Sequence, residues 1–154
     1  MLTKSQQLLY YIILKNEGVE DKTKLAKLEY FADFIHYAFH DKPISEESAI
    51  YTAQKQGPLS RTLTVDIEAL KDCGLIEEKP KFNYAAKRDG AEINLDEEEK
   101  RTIQFVIDRY GELSYRELIN ISHAQIPFLS ARDGEIVEFV TAYNLVDEYP
   151  EYAH

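Results

Sequence analysis

Apolar side chains recur every three or four residues in the first forty positions, which is the spacing of amphipathic helices. The spacing predicts a first helix over residues 5–16, closed by Gly18 in a left-handed conformation. It predicts a second helix over residues 22–40, begun by Asp21 or Thr23. Aromatic residues extend the apolar face of this second helix over most of its circumference, so we predict that the helix lies at the centre of the fold.

Caps and helix breakers predict the remaining helices. Ser45 is placed to begin a third helix that runs to Gln56, where Gly57-Pro58 would stop it. Ser60 would begin a fourth helix. Capping boxes at residues 96–99 and 114–117 predict two more helices, and we expect a last helix near residues 133–143.

A β-like region separates these two groups of helices. Residues 75–79, 81–87 and 91–95 flank Asp89-Gly90, a dipeptide typical of tight hairpin turns. The predicted fold class is therefore mainly α: a compact helical domain with a small β-hairpin, in the element order of a winged helix. We expect residues 1–142 to form one domain and residues 143–154 to form a loose acidic tail.

Charge and composition narrow the possible functions. The chain has 18 basic and 28 acidic residues, a net charge of −10, which disfavours binding to a phosphate backbone. The longest apolar run, residues 8–14, is too short for a membrane span, and the first residues lack a signal-peptide pattern, so we expect a cytoplasmic protein.

Cys73 is the one cysteine, which we interpret as a small core residue. Eleven tyrosines fit either a core or a protein interface.

One row of polar residues crosses the apolar second helix. Glu29, Asp33, His36 and His40 follow one another at steps of four, three and four, so they share a face. Carboxylates and paired histidines at such spacing can hold a metal ion. The favoured interpretation is a solvated or hydrogen-bonded face, because every amphipathic helix has a polar side.

Two further features bear on function. The predicted hairpin carries Lys79, Lys81, Lys87 and Arg88, which could contact DNA phosphates, but basic residues also commonly protect exposed strand edges, and we favour that interpretation. The sequence shows neither a nucleophile-elbow motif nor a glycine-rich phosphate loop, so we predict that the protein is not an enzyme.

Several short motifs occur in the order of a known family. Residues 24–33, KLAKLEYFAD, resemble the KLxKLLYFAD signature of the Panacea domain, also called the SocA-like antitoxin domain. Pro43-Ile44, the segment AQKQGP at 53–58, and the stretch from Tyr110 to Phe128 resemble the later motifs. The resemblance covers about residues 8–130. Glu29 departs from it, because the family has an apolar residue there.

The resemblance implies an antitoxin, a protein-binding module that neutralises a cognate protein toxin by direct complex formation. Some relatives act as proteolytic adaptors, and the family occurs on mobile elements. It implies neither a cofactor nor catalysis, and we expect neither a nucleic-acid nor a membrane partner. The motif residues, which we expect to support the fold or to edge the partner-binding surface, are Lys24, Lys27, Tyr30, Phe31, Asp33, His36, Gly57, Pro58, His123, Pro127 and Phe128.

Two alternative functions remain open at this stage. A winged-helix DNA-binding regulator would use the basic hairpin. A metal-dependent enzyme would use Glu29, Asp33, His36 and His40.

Overall fold

The computed structural model describes residues 1–80, 83–87 and 92–153. The helices are α1 (Lys4–Lys15), α2 (Lys22–His40), α3 (Leu63–Asp72), α4 (Glu97–Tyr110), α5 (Tyr115–His123) and α6 (Ile126–Leu129). The strands are β1 (Val19–Glu20), β2 (Tyr51–Gln54), β3 (Gly57–Ser60), β4 (Ile76–Lys79), β5 (Asn83–Ala86) and β6 (Ile136–Val137). Two 3-10 helices follow, Phe139–Glu148 and Pro150–Ala153.

Helix α2 lies at the centre of the fold, as the apolar residues around most of its circumference predict. It packs against α1, α4, α5, β3 and the first 3-10 helix, and its side chains from Lys24 to His36 are all buried. The Asp21 carboxylate begins the helix by accepting hydrogen bonds from the backbone N–H groups of Thr23 and Lys24. Within the described ranges, this and every other helix is too short or too polar to cross a membrane.

The capping boxes predicted from sequence are confirmed. Asp96 and Glu99 exchange hydrogen bonds between side chain and backbone at the start of α4. Ser114 and Glu117 do the same at the start of α5. These boxes form from residues three positions apart, so they need no information about the tertiary fold.

The prediction of a mainly α fold with one hairpin is wrong, because the strands form two separate antiparallel sheets of three strands each. One sheet has the order β1-β5-β4 and the other has the order β3-β2-β6. The protein is therefore a mixed α and β fold in which a central helix is flanked by sheets.

The predicted third helix is also wrong, because residues 51–60 form the β2–β3 hairpin. Gln54 pairs with Gly57 across the turn, and Gly57 adopts a φ of +111°, which suits glycine. Strand β6 pairs with the other edge of β2. It lies at the beginning of the segment, residues 133–143, that was predicted to form the last helix. Its partner is more than eighty residues away, so local sequence patterns do not reveal the pairing.

Two of the three β segments predicted around Asp89-Gly90, residues 75–79 and 81–87, contain paired strands, but the sheet has a different third strand. β4 pairs antiparallel with β5, from Ile76–Ala86 to Lys79–Asn83. β1 supplies the third strand, and the described residues 92–95 form no strand. The predicted turn at Asp89-Gly90 lies outside the described residues.

The C-terminal segment is part of the core and not a loose tail. Tyr149 and Tyr152 are almost completely buried. The Tyr149 hydroxyl lies 2.6 Å from that of Tyr110, and the Tyr152 hydroxyl lies 2.6 Å from Thr102 Oγ1. The acidic residues of the segment face outward, which made it resemble a solvated tail.

The structure shows where the tyrosines and the single cysteine lie. The buried tyrosines number seven of the eleven in the chain, so most of them serve the core: Tyr10, Tyr30, Tyr51, Tyr84, Tyr110, Tyr149 and Tyr152. Cys73, expected in the core, is exposed at the end of α3.

We predict that Tyr152→Ala destabilises the protein by about 3–5 kcal/mol, because it empties a buried aromatic site and removes the hydroxyl bonded to Thr102. Chemical denaturation measures this loss. Glu151→Ala, at an exposed neighbouring position, is the control, with an expected change within about 0.5 kcal/mol. Equal stability of the two variants would show that the C-terminal segment does not pack as described.

Candidate functional site

The polar row of α2 is buried and does not form a solvated face. Glu29, Asp33 and His36 have no exposed surface, and His40 is partly exposed. The hydrogen-bonded alternative describes Asp33 and His36 correctly. The solvated interpretation is wrong because the C-terminal segment, α4 and the residues around Ser45 cover this side of the helix.

Asp33 is the most fully bonded of these residues. Its Oδ1 accepts hydrogen bonds from the backbone N–H groups of Ile44 and Ser45 at 2.9 and 2.8 Å. Its Oδ2 accepts from the Ser45 hydroxyl at 2.6 Å and the Tyr51 hydroxyl at 2.7 Å. Burial raises the pKa of Asp33, and these hydrogen bonds oppose the rise. The carboxylate thus fixes the loop before β2 and the start of β2 itself.

His36 and His40 bond to other elements and not to a shared ligand. His36 Nδ1 lies 2.7 Å from Thr102 Oγ1 in α4, and His40 Nε2 lies 2.8 Å from the Tyr152 hydroxyl. Burial lowers the pKa of His36 to about 3, so its ring is neutral at physiological pH. Among the residues that the structure describes, no three His, Cys, Asp or Glu side chains are grouped to hold a metal ion.

Two buried lysines of the family motif also bond within the chain. Lys24 Nζ donates to Glu20 Oε1 at 2.5 Å and to the Gly111 carbonyl at 2.7 Å. Lys27 Nζ donates to the Pro58 carbonyl at 2.5 Å, and burial lowers the pKa of Lys27 to about 7. Each lysine therefore ties α2 to a backbone carbonyl of a distant element.

Gly57 is needed beside Lys27 for a steric reason. A Cβ atom at this position would lie 2.9 Å from Ser122 Oγ and 3.1 Å from Lys27 Cε. The glycine of the GP motif therefore lets β3 approach both α2 and α5. Pro58, which follows it, supplies the carbonyl that Lys27 binds.

The aromatic motif residues pack within the core. The Tyr30 hydroxyl donates to Gln125 Oε1 at 2.8 Å, and Phe31 stacks on Tyr110 with ring centroids 4.4 Å apart. At the end of α5, the His123 ring stacks on Phe128 at 4.5 Å, and the two planes are within 3° of parallel.

The motif residues thus fall into a buried group and a smaller group at the surface. Lys24, Lys27, Tyr30, Phe31, Asp33 and His36 are at most 1% exposed, so a partner cannot contact these side chains in the folded protein. His123 and Phe128 are partly exposed, and Pro127 is buried between them and the core. A role in partner binding stays a prediction for His123 and Phe128.

The sequence did not reveal the partners that bond to α2. Thr102, Gln125 and Tyr152 are each buried, and each bonds to a polar residue of this helix. Gln125 and Tyr152 lie in segments without clear helical periodicity. The sequence offered one signal for these partners: Thr102 is a polar residue on the apolar face of the helix that became α4.

The basic hairpin is only partly within the described chain. Lys79 Nζ lies 3.8 Å from Oε1 of Glu77, an exposed residue on the same strand. Lys81 and Arg88 lie outside the described residues. The β2–β3 hairpin also interrupts the helix order that suggested a winged helix.

A stripe of exposed apolar residues runs along the first 3-10 helix, and we name it the apolar stripe: Val140, Tyr143 and Val146. Residues three apart eclipse one another in a 3-10 helix, so these side chains share one side. They are 38–59% exposed, while Ala142 and Leu145 face the core. Exposed Ile126 and Leu129 lie on α6, which packs against this 3-10 helix.

Acidic residues flank the apolar stripe. Glu135, Glu138, Asp147 and Glu148 are all exposed, and residues 135–148 contain no lysine or arginine. An exposed apolar surface with a charged rim is typical of a protein-binding site.

Comparison with known families assigns the class of protein. The model of the family described as Antitoxin SocA-like, Panacea domain, matches residues 25–127, about two thirds of the chain. The protein therefore belongs to this antitoxin-like family, whose members in general act on a toxin partner. No curated protein and no solved structure matched the chain.

Glu29 is the unusual residue of this core. Neither of its carboxylate oxygens accepts a hydrogen bond from any described residue, although the side chain is fully buried. Burial raises its pKa well above the ordinary value, and the nearby charges of Asp33 and Asp66 add to the rise. In the folded protein, the environment of the Glu29 carboxyl group therefore favours its protonated, neutral form over the charged form.

We predict that Glu29 makes the folded state less stable as the pH rises. Because its folded-state pKa is raised, its contribution is fully present below the unfolded pKa and is lost as the pH rises toward the folded value. The free energy of unfolding of the wild type, relative to Glu29→Gln, should therefore fall between about pH 5 and about pH 7. Urea denaturation of both proteins at these pH values measures the difference.

Taking the difference between the two proteins cancels the titration of groups that do not interact with Glu29, such as His36. Glu97→Gln, whose side chain is 94% exposed, provides the matched control and should show no such trend. A pH-independent difference between the wild type and Glu29→Gln would contradict the raised pKa.

Proposed function

We propose that this protein neutralises a cognate protein toxin in the cytoplasm by forming a direct, stoichiometric complex with it. Family membership is the observation that carries the proposal. The distribution of polar groups supports it, because the motif side chains of α2 are buried in bonds within the chain and are not arranged around an open catalytic cleft.

The apolar stripe is the surface that best fits such a partner. Val140, Tyr143 and Val146 offer an exposed apolar ridge on a segment anchored to the core by Ala142 and Leu145. Anchoring limits the entropy lost when the surface is fixed by a partner. The acidic rim favours a partner whose apolar groove is bordered by lysine and arginine.

Tyr143 is the best-defined residue of this ridge. Its hydroxyl donates to Asp41 Oδ1 at 2.7 Å, and its ring lies 5.5 Å from that of Tyr37. A tyrosine held in one orientation in this way suits a binding surface, because little side-chain freedom remains to be lost.

The test is co-expression with the product of the adjacent gene, with growth and complex formation as readouts. We expect the adjacent product to be toxic alone, and the wild-type protein to restore growth and to purify with it in a one-to-one complex. Val140→Glu should weaken the complex at least about 30-fold, because it places a charge within an apolar contact.

Val65→Glu is the matched control, since Val65 is 67% exposed on α3, away from the apolar stripe. It should bind and neutralise as the wild type does. A harmless adjacent product that forms no complex would contradict the proposed function. Loss of neutralisation in both variants, or in neither, would contradict the assignment of the surface. Disappearance of the toxin in place of a stable complex would indicate that the protein acts as a proteolytic adaptor.

A further inference from the structure

A cationic pocket opens between the first turns of α2, the β2–β3 hairpin and the start of α3. It has a volume of about 770 Å³. Four basic residues line it, Lys22, Lys27, Lys55 and Arg61, and no acidic residue among those that the structure describes does. This is unusual in a chain whose net charge is −10, since acidic residues outnumber basic ones elsewhere.

Three of the basic side chains that line the pocket have no ionic partner among the described residues. Among the described residues, Lys22, Lys55 and Arg61 form no salt bridge. Lys22 Nζ donates to the Thr64 hydroxyl at 2.7 Å, and Lys55 and Arg61 are exposed at the rim. Glu68 and Glu78, which line a neighbouring pocket together with Lys22, are bonded to Lys71.

Lys27 forms part of the floor of the pocket. It is buried there, and its amino group donates to the Pro58 carbonyl. Because this side chain is only 1% exposed, the basic groups that a ligand can contact directly are those of Lys22, Lys55 and Arg61. Gly57 also lines the pocket, and its missing side chain leaves the space in which the Lys27 amine lies.

The first turn of α3 forms one wall of the pocket through Leu63 and Thr64. The acidic residue of this turn, Asp66, is buried, accepts hydrogen bonds from the side chains of Thr62 and Gln6, and does not line the pocket. Polar side chains of Thr23, Gln54 and Gln56 complete the rim.

We propose that this pocket binds a small, multiply charged phosphate compound, such as a phosphate ester or a pyrophosphate. Arg61 can form paired hydrogen bonds to phosphate oxygens, and Lys22 and Lys55 supply further charge. The concave shape and the volume suit a small ligand. Within the described part of the chain, no aromatic residue lines the pocket, so the recognition we propose is directed at the phosphate groups and not at a stacked base.

The pocket and the apolar stripe lie toward opposite ends of α2. Lys22 begins this helix and Tyr143 bonds to Asp41 at its end, a separation along the helix of about 28 Å at 1.5 Å per residue. Ligand binding in the pocket is therefore separate from toxin binding, and each proposal can fail without the other.

The test is isothermal titration calorimetry of the full chain with inorganic pyrophosphate at about 50 mM salt, where screening is moderate. We expect saturable one-to-one binding with a Kd below about 1 mM. The double variant Lys55→Gln/Arg61→Gln should weaken binding at least about tenfold, since it removes two charge-assisted contacts. Citrate and a hexaglutamate peptide, titrated in parallel, separate phosphate recognition from carboxylate recognition.

The control is Lys79→Gln/Lys87→Gln, which removes the same number of charges from exposed positions around the β4–β5 hairpin. It should bind pyrophosphate as the wild type does. Absence of saturation, or equal weakening in both double variants, would overturn the proposal. Binding of citrate or hexaglutamate without pyrophosphate would also overturn it, and would assign the pocket to a carboxylate ligand or an acidic partner segment.

Discussion

The fold depends on the buried polar side chains of α2, which hydrogen-bond to the elements around it. Lys24 binds the α4–α5 corner, Lys27 binds β3, and Tyr30 binds the residue before α6. Asp33 binds the loop before β2 and β2 itself, and His36 binds α4. A buried polar group costs several kcal/mol when it is left unbonded, so each of these bonds disfavours any other arrangement of its neighbour. Apolar packing alone would tolerate more arrangements.

This arrangement determines where the protein can meet a partner. The motif that identifies the family lies mainly inside, where its polar groups bond to the chain itself. We have proposed recognition roles for two surface features, the apolar stripe, which lies outside the motif, and the cationic pocket, which the motif residues Lys27 and Gly57 help to line. Both are built on elements that α2 holds in place, since the 3-10 helix packs against α2 and Lys27 lies at the floor of the pocket. A rigid centre with distinct outer surfaces suits a module that acts by binding.

The parts of the fold that sequence could predict are those set by local chemistry. Helical periodicity located α1 and α2, and capping boxes located the starts of α4 and α5. Gly57-Pro58 was interpreted as a helix stop, although it begins the second strand of a hairpin, so β2 and β3 were missed. β6 was missed because its partner β2 is distant in the chain. The polar row of α2 was predicted to be a solvated or hydrogen-bonded face, because helical spacing shows which residues share a face, but not what covers it. Tyr152, Thr102 and Tyr51 cover it here, and two of these lie far away in sequence.

The most direct test of the role of α2 is the free energy of unfolding of Asp33→Ala, measured by urea denaturation. Removing this carboxylate leaves two buried backbone N–H groups and two hydroxyls without their acceptor, so we expect a loss of at least about 3 kcal/mol with an unchanged urea dependence. Asp108→Ala, at an exposed position of α4, should change stability by less than about 0.5 kcal/mol. A loss for Asp33→Ala as small as that of Asp108→Ala would contradict the view that these buried bonds hold the fold together.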